Sequence, residues 1–117
     1  MAVNATKIRN IDVDETEDEI KSTGGRLLWM HAMNLTAAVL YLHVYNAAAA
    51  DVTVGTTTPA FTFPIPTPGT TNGAGFVLPI PERGAEFNTG ITIACTTTVG
   101  GSAGPAANGC IVNGEFI

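Results

Sequence analysis

The sequence predicts an all-β protein: an antiparallel β-sandwich or jelly-roll-like fold carrying an extended acidic N-terminal segment. Three observations point there. Apolar and polar residues alternate with a period of two through most of the chain. Charged residues make up only 13%, whereas Gly (13) and Pro (7) interrupt the sequence at short intervals. Thr and Val are frequent, and no regular alternation of strand and helix patterns occurs. At 117 residues there is room for one domain and one core. The composition divides it into an N-terminal arm or edge strand over residues 1–23 and a sandwich domain over residues 24–117.

Each element follows from local chemistry. Residues 3–11 suit a strand, after which Asp12, Asp14, Glu15, Glu17, Asp18 and Glu19 crowd together. Like charges resist packing, so the run reads as a solvated segment or as an arm that docks on a partner's basic surface. It lacks the glycine and the twelfth-position Glu of a calcium loop. Gly24-Gly25 signals a turn. Residues 26–34 then place Leu27, Trp29, His31 and Met33 on one strand face. After a turn at 34–37, residues 39–46 set Leu40, Leu42 and Val44 on one face and Tyr41, His43 and Tyr45 on the other. The alanines within 35–50 suggest a rival helix, but the Val, Tyr and His content and the strict alternation favour a strand. Phe61, Phe63 and Ile65 share a face and are expected in the core. Pro64 and Pro66 mark their strand as an edge, because proline cannot donate to a ladder. A turn at 68–73 leads to a second proline-bearing strand over 76–81, with Pro79 and Pro81. Further on, Ile91, Ile93 and Cys95 oppose Thr92, Ala94 and Thr96. Asn108-Gly109 is a tight-turn signal, and 110–117 forms the last strand, with Asn113-Gly114 suggesting a bulge.

The search for chemistry excludes more than it finds. A net charge of −5, with five Lys and Arg scattered along the chain, offers no patch for nucleic-acid phosphates. The longest apolar stretch, 35–50, contains His43 and Asn46 and falls short of the roughly 20 residues that span a bilayer. The first residues lack the apolar core of a signal peptide, so the chain is expected to remain in a cytoplasm or leave it by lysis. No nucleophile elbow, zinc-binding helix motif or phosphate loop is present, so neither enzymatic activity nor a cofactor or metal is expected. Mean hydropathy is +0.26. In a small domain this implies apolar surface left for a partner, unless abundant Ala, Gly and Thr merely inflate the mean. Trp29, His31, Tyr41, His43 and Tyr45 form the candidate interface, with Trp29 and His31 reaching the tyrosines across a ladder; the alternative is a second core layer. Cys95 and Cys110 flank one loop, and without an export signal they read as two buried free thiols rather than a disulfide. The sequons at Asn4 and Asn34 matter only to a secreted chain.

Five segments in order carry a resemblance. Ile20-Lys21-Ser22-Thr23-Gly24-Gly25-Arg26-Leu27-Leu28-Trp29 is similar to the opening strand of small virion proteins of tailed bacteriophages. Val39-Leu40-Tyr41-Leu42-His43-Val44-Tyr45-Asn46 resembles their second strand, and Thr53-Val54-Gly55-Thr56-Thr57-Thr58-Pro59 their "TVGTTTP" signature. Phe87-Asn88-Thr89-Gly90-Ile91-Thr92-Ile93-Ala94 and Val112-Asn113 are similar to their later strands. The resemblance implies a non-enzymatic β-sandwich virion protein. Its best-fitting role is a capsid decoration (cement) protein on the head exterior, assembled in the bacterial host cytoplasm. The implied partners are the major capsid protein and further copies of itself, as a dimer or trimer on the capsid symmetry axes. The alternative is a tail or baseplate component, or a carbohydrate-binding module of the virion.

Overall fold

A strand with one apolar face needs a second sheet to cover it, and the chain supplies two. The computed structural model describes residues 4–67, 74–78 and 83–117. Among these, the strands are β1 (Thr6–Asn10), β2 (Asp18–Lys21), β3 (Gly25–Asn34), β4 (Leu40–Tyr45), β5 (Phe61–Ile65), β6 (Ala74–Leu78), β7 (Ala85–Phe87), β8 (Ile91–Thr96) and β9 (Cys110–Phe116), with a single 3-10 turn at Ala49–Asp51. The first sheet is ordered β1-β9-β3-β6, with β7 also pairing β3, and the second is ordered β2-β8-β4-β5. All pairings are antiparallel. The expected all-β sandwich is therefore the fold, and residues 40–45 form the strand that their alternation predicts. The expected turn at 68–73 and the prolines Pro79 and Pro81 lie outside the described residues.

The core fills the gap between the sheets. Leu42, Val44 and Ile93 of the second sheet meet Leu27, Met30 and Val112 of the first, all of them buried. Each such side chain contributes roughly 1.5–3 kcal/mol relative to leaving it in water. Strand β8 is buried along its whole length: Ile91, Ile93 and Cys95 face the core, while Thr92, Ala94 and Thr96 lie beneath loops on the other side. On β5, Ile65 is buried and Phe63 packs against the core. Phe61 shares their face but sits at the rim, 40% exposed. Its ring rests on Phe63 and Phe87 at centroid distances of 5.8 and 6.0 Å.

Strand β3 departs from simple alternation. Leu27 pairs with Phe116 and Trp29 pairs with Glu115, so Leu28 is an extra residue: a bulge. The bulge shifts the phase by one. Leu27, Met30, Ala32 and Asn34 point inward, and Trp29, His31 and Met33 point outward, so Leu27 does not share their face. The irregularity expected at Asn113-Gly114 thus lies in the neighbouring strand. Gly114 answers it, because a Cβ there would come within 2.5 Å of the Trp29 carbonyl oxygen.

Residues 4–23 are woven into the sandwich. Strand β1 pairs with β9 in the first sheet and β2 with β8 in the second, so the connection 11–17 crosses between them. Val13 is fully buried in that crossing. The Val13 amide donates to the Cys110 carbonyl (3.0 Å) and the Cys95 amide to the Asp14 carbonyl (2.7 Å), which ties both sheets to the connection. Immediately before β9, the tight turn predicted at Asn108-Gly109 is present, with Asn108 at φ 59°.

Candidate functional site

The two outer faces of the sandwich differ. On the first sheet, register builds a grid of outward-facing side chains, Lys7, Arg9 and Trp29 exposed and the rest half-buried. Lys7 opposes Glu115, which opposes Trp29; in the next row Arg9 opposes Asn113, which opposes His31. Beyond them Ile111 opposes Met33. Glu115 is the organiser. One of its carboxylate oxygens accepts from Trp29 Nε1 (2.8 Å) and the other from Lys7 Nζ (2.6 Å). These two hydrogen bonds, that from Lys7 first, hold the Glu115 carboxyl below the ordinary carboxylate value. The indole is thereby oriented while 39% of the residue stays exposed. A rigid aromatic with a polar rim is the kind of anchor that protein interfaces use.

The outer face of the second sheet carries Tyr41, His43 and Tyr45, but it is roofed. Val52 packs with Tyr45 and Ala94 in a small second core, joined by Ala47 and Val54. The roof is stitched by Thr92 Oγ1 donating to the Ala47 carbonyl (2.7 Å) and by the Thr56 and Thr57 amides donating to the Thr53 carbonyl (3.0 and 2.8 Å). Tyr45 and His43 are consequently buried, and Tyr41 alone of the three is half-buried. Beneath the roof lies a cavity of about 190 Å³, lined by His43, Tyr45, the loop around Gly55–Pro59 and the loop around Val99–Gly101. Thr96 Oγ1 donates to the Thr98 carbonyl (2.6 Å). Its lone pairs therefore accept from His43 Nε2 (2.8 Å), which leaves His43 Nδ1 to accept from Thr62 Oγ1 (2.9 Å). The imidazole is neutral and fully satisfied, and burial lowers its pKa below 6.5. Burial, with Glu17 nearby, likewise raises the Tyr45 phenol.

The five candidate interface residues therefore do not form one surface. Trp29 and His31 stand on the first sheet and Tyr41, His43 and Tyr45 on the second, so no ladder joins them. The chain passes from β3 to β4 by crossing between sheets, and Asn34 fixes that crossing. Its buried Nδ2 donates to the carbonyls of Ala38 (2.7 Å) and Ile65 (3.1 Å), while its Oδ1 accepts from the Thr36 amide (2.8 Å) and hydroxyl (2.7 Å). The Asn34 sequon is thus inaccessible to modification in the folded chain. Glu115 and Lys7 escape sequence reading because they join Trp29 only through register, across 86 and 22 residues of chain.

The acidic run folds against the body rather than standing clear of it. Asp12 Oδ1 accepts from the Asn108 amide (2.8 Å), Glu19 Oε1 from the Ala49 amide (3.0 Å), and Asp14 Oδ1 from the Thr16 amide (2.9 Å). Asp18 accepts from Asn10 Nδ2 (3.0 Å), yet partial burial, with Asp14, Asp12 and Glu17 nearby, raises its carboxyl above 3.8. Glu15 and Glu17 lie on the same connection. Between β1 and β2, the unpaired edges of the two sheets flank a groove of about 320 Å³ floored by Ile8, Ile20, Ile93 and Phe116. Cys95 and Cys110, which flank one loop in the sequence, belong to different sheets and meet across the core; both are free and buried, as expected. Their hydrogen bond, together with burial, holds the Cys95 thiol far above its ordinary value.

Among the described residues, no group of three or more His, Cys, Asp or Glu is placed to hold a metal ion, and no helix is long and apolar enough to cross a membrane. Comparison with protein-family models, with curated proteins and with solved structures gives no match to this chain.

Proposed function

We propose that the protein is a non-enzymatic structural protein of a bacteriophage virion, a capsid decoration protein that binds the major capsid protein on the head exterior as a homo-oligomer. The observation that carries this reading is the asymmetry of the two outer faces. One is sealed by its own loops, and the other presents Trp29, pinned by Glu115 and bordered by His31, Asn113 and the Ile111–Met33 pair. A face so built supports a binding role, and the ordered resemblance of five segments to small phage virion proteins directs that role to the virion, where decoration of the head fits best. Repetition on a symmetric shell then turns many modest contacts into stable attachment.

The test mixes purified protein with expanded, undecorated heads and sediments them. Saturation at a copy number matching a class of capsid symmetry axes is expected. Trp29→Ala should weaken binding by roughly 30-fold or more, as loss of a central aromatic anchor typically does. Its melting temperature should change little, since the side chain lies outside the core. A second reading has its own support: an exposed indole beside amide, imidazole and carboxylate groups also suits stacking on a sugar ring. Wild-type protein that stays in the supernatant with heads but binds polysaccharide or tail tips would replace the first reading with the second.

A further inference from the structure

The two thiols lie at a junction that a covalent bond would close. Cys95 on β8 and Cys110 on β9 face one another from opposite sheets, both within the main core. Beside them runs the crossing connection, with the Val13 amide on the Cys110 carbonyl at 3.0 Å and the Cys95 amide on the Asp14 carbonyl at 2.7 Å. Both cysteine backbones are therefore hydrogen-bonded to adjacent residues of one segment, and the two thiols are neighbours. Neighbouring thiols on a fixed frame are the arrangement from which a disulfide forms.

We propose that Cys95 and Cys110 are a site of reversible oxidative modification, forming an inter-sheet disulfide that locks the sandwich at the residue 13–14 crossing. The reaction is thiol–disulfide exchange with a small disulfide such as oxidised glutathione. One cysteine, as its thiolate, displaces a glutathione thiolate from the reagent and forms a mixed disulfide. The second, also deprotonated, attacks the protein sulfur of that mixed disulfide and releases the other glutathione. The pair loses two electrons and two protons, and the reagent is reduced to two glutathione thiols. The same structure sets the rate. Both sulfurs are buried, so exchange waits for a local opening at the crossing, and the folded chain oxidises slowly. A protein assembled in a reducing cell and later exposed to an oxidising medium would acquire the lock without changing its surface.

The experiment treats the folded chain with a graded glutathione redox buffer and follows free thiols, intact mass and melting temperature. Both thiols should disappear together, with a mass lower by two hydrogens and no retained glutathione. The bond closes a loop of about 16 residues, and the melting temperature should rise by roughly 10 °C. Cys110→Ala should stop at the mixed disulfide and carry one glutathione. Accumulation of glutathione adducts on the wild-type protein, disulfide-linked dimers, or a lower melting temperature after oxidation would overturn the proposal. So would thiols that stay reduced even after unfolding and refolding in the oxidising buffer. The wild-type readouts decide the matter even where the variant does not fold.

Discussion

At His43 a single hydroxyl decides which nitrogen carries the proton. Thr96 spends its own proton on the Thr98 carbonyl, so the imidazole must be the donor at Nε2, and Nδ1 is left as an acceptor for Thr62. Protonation of Nδ1 would turn that acceptor into a donor and force Thr62 to reverse its hydroxyl. Burial thus keeps the folded-state pKa below the ordinary 6.5. The consequence for stability has a definite sign. The unfolded chain binds more protons than the folded one below that value, so stability contributed by neutral His43 is present above pH 6.5 and is lost as pH falls towards the folded pKa. Urea denaturation midpoints should decrease across that interval. The His43 ring resonances, followed by NMR, should titrate below those of a histidine in the urea-unfolded chain; titration at or above that reference would contradict the burial seen here.

At the scale of single strands, β3 and β9 form a matched pair. The extra residue at Leu28 pushes the β3 backbone toward its neighbour, and Gly114 leaves the space. Gly114→Ala would set a methyl 2.5 Å from the Trp29 carbonyl oxygen and 3.3 Å from Ile8 Cδ1. Relief requires a backbone shift, at a cost of about 1–3 kcal/mol. A reduced urea midpoint with an unchanged slope is the expected result. The same pair shows what could be read from the sequence. Alternation in β4 and β8 is a local property, so their core faces follow from the sequence pattern alone, whereas the loops that roof Thr92 and Thr96 do not. The bulge is not local, because it depends on which strand lies beside β3 and in what register. A one-residue error in phase moves every side chain to the other face, which is why Leu27 was expected beside Trp29. The separation of Trp29 from Tyr41 was hidden for a related reason. A short turn between two strands suggests a hairpin, and only the buried amide of Asn34, bonded to Ile65 in β5, shows that the chain changes sheets there.

For the molecule as a whole, the order of strands departs most from the order of sequence. The first sheet places β9 between β1 and β3, with Thr6 opposite Phe116. β9 is thus the central plank of that sheet, although it is the last strand of the chain. Removing residues 110–117 should leave β1 without any strand partner and β3 with only β6 and β7. Loss of the cooperative thermal transition in circular dichroism is the expected outcome, whereas a folded truncated chain would show that the second sheet is stable alone. The sandwich itself was legible in the alternation, but this closure was not, since nothing local in residues 6–10 names residues 112–116 as their partners.

The same closure governs what happens during synthesis. The other strands of the first sheet leave the ribosome before β9, which joins β1 to β3, so that sheet is completed only after β9 emerges. Until β9 emerges, β1 has no strand partner and β3 lacks one of its neighbours, and pairing over such sequence distances is slow. Completion of the first sheet therefore waits for β9, and the interval before it is when the chain is most open to capture by chaperones or by other unfinished copies of itself.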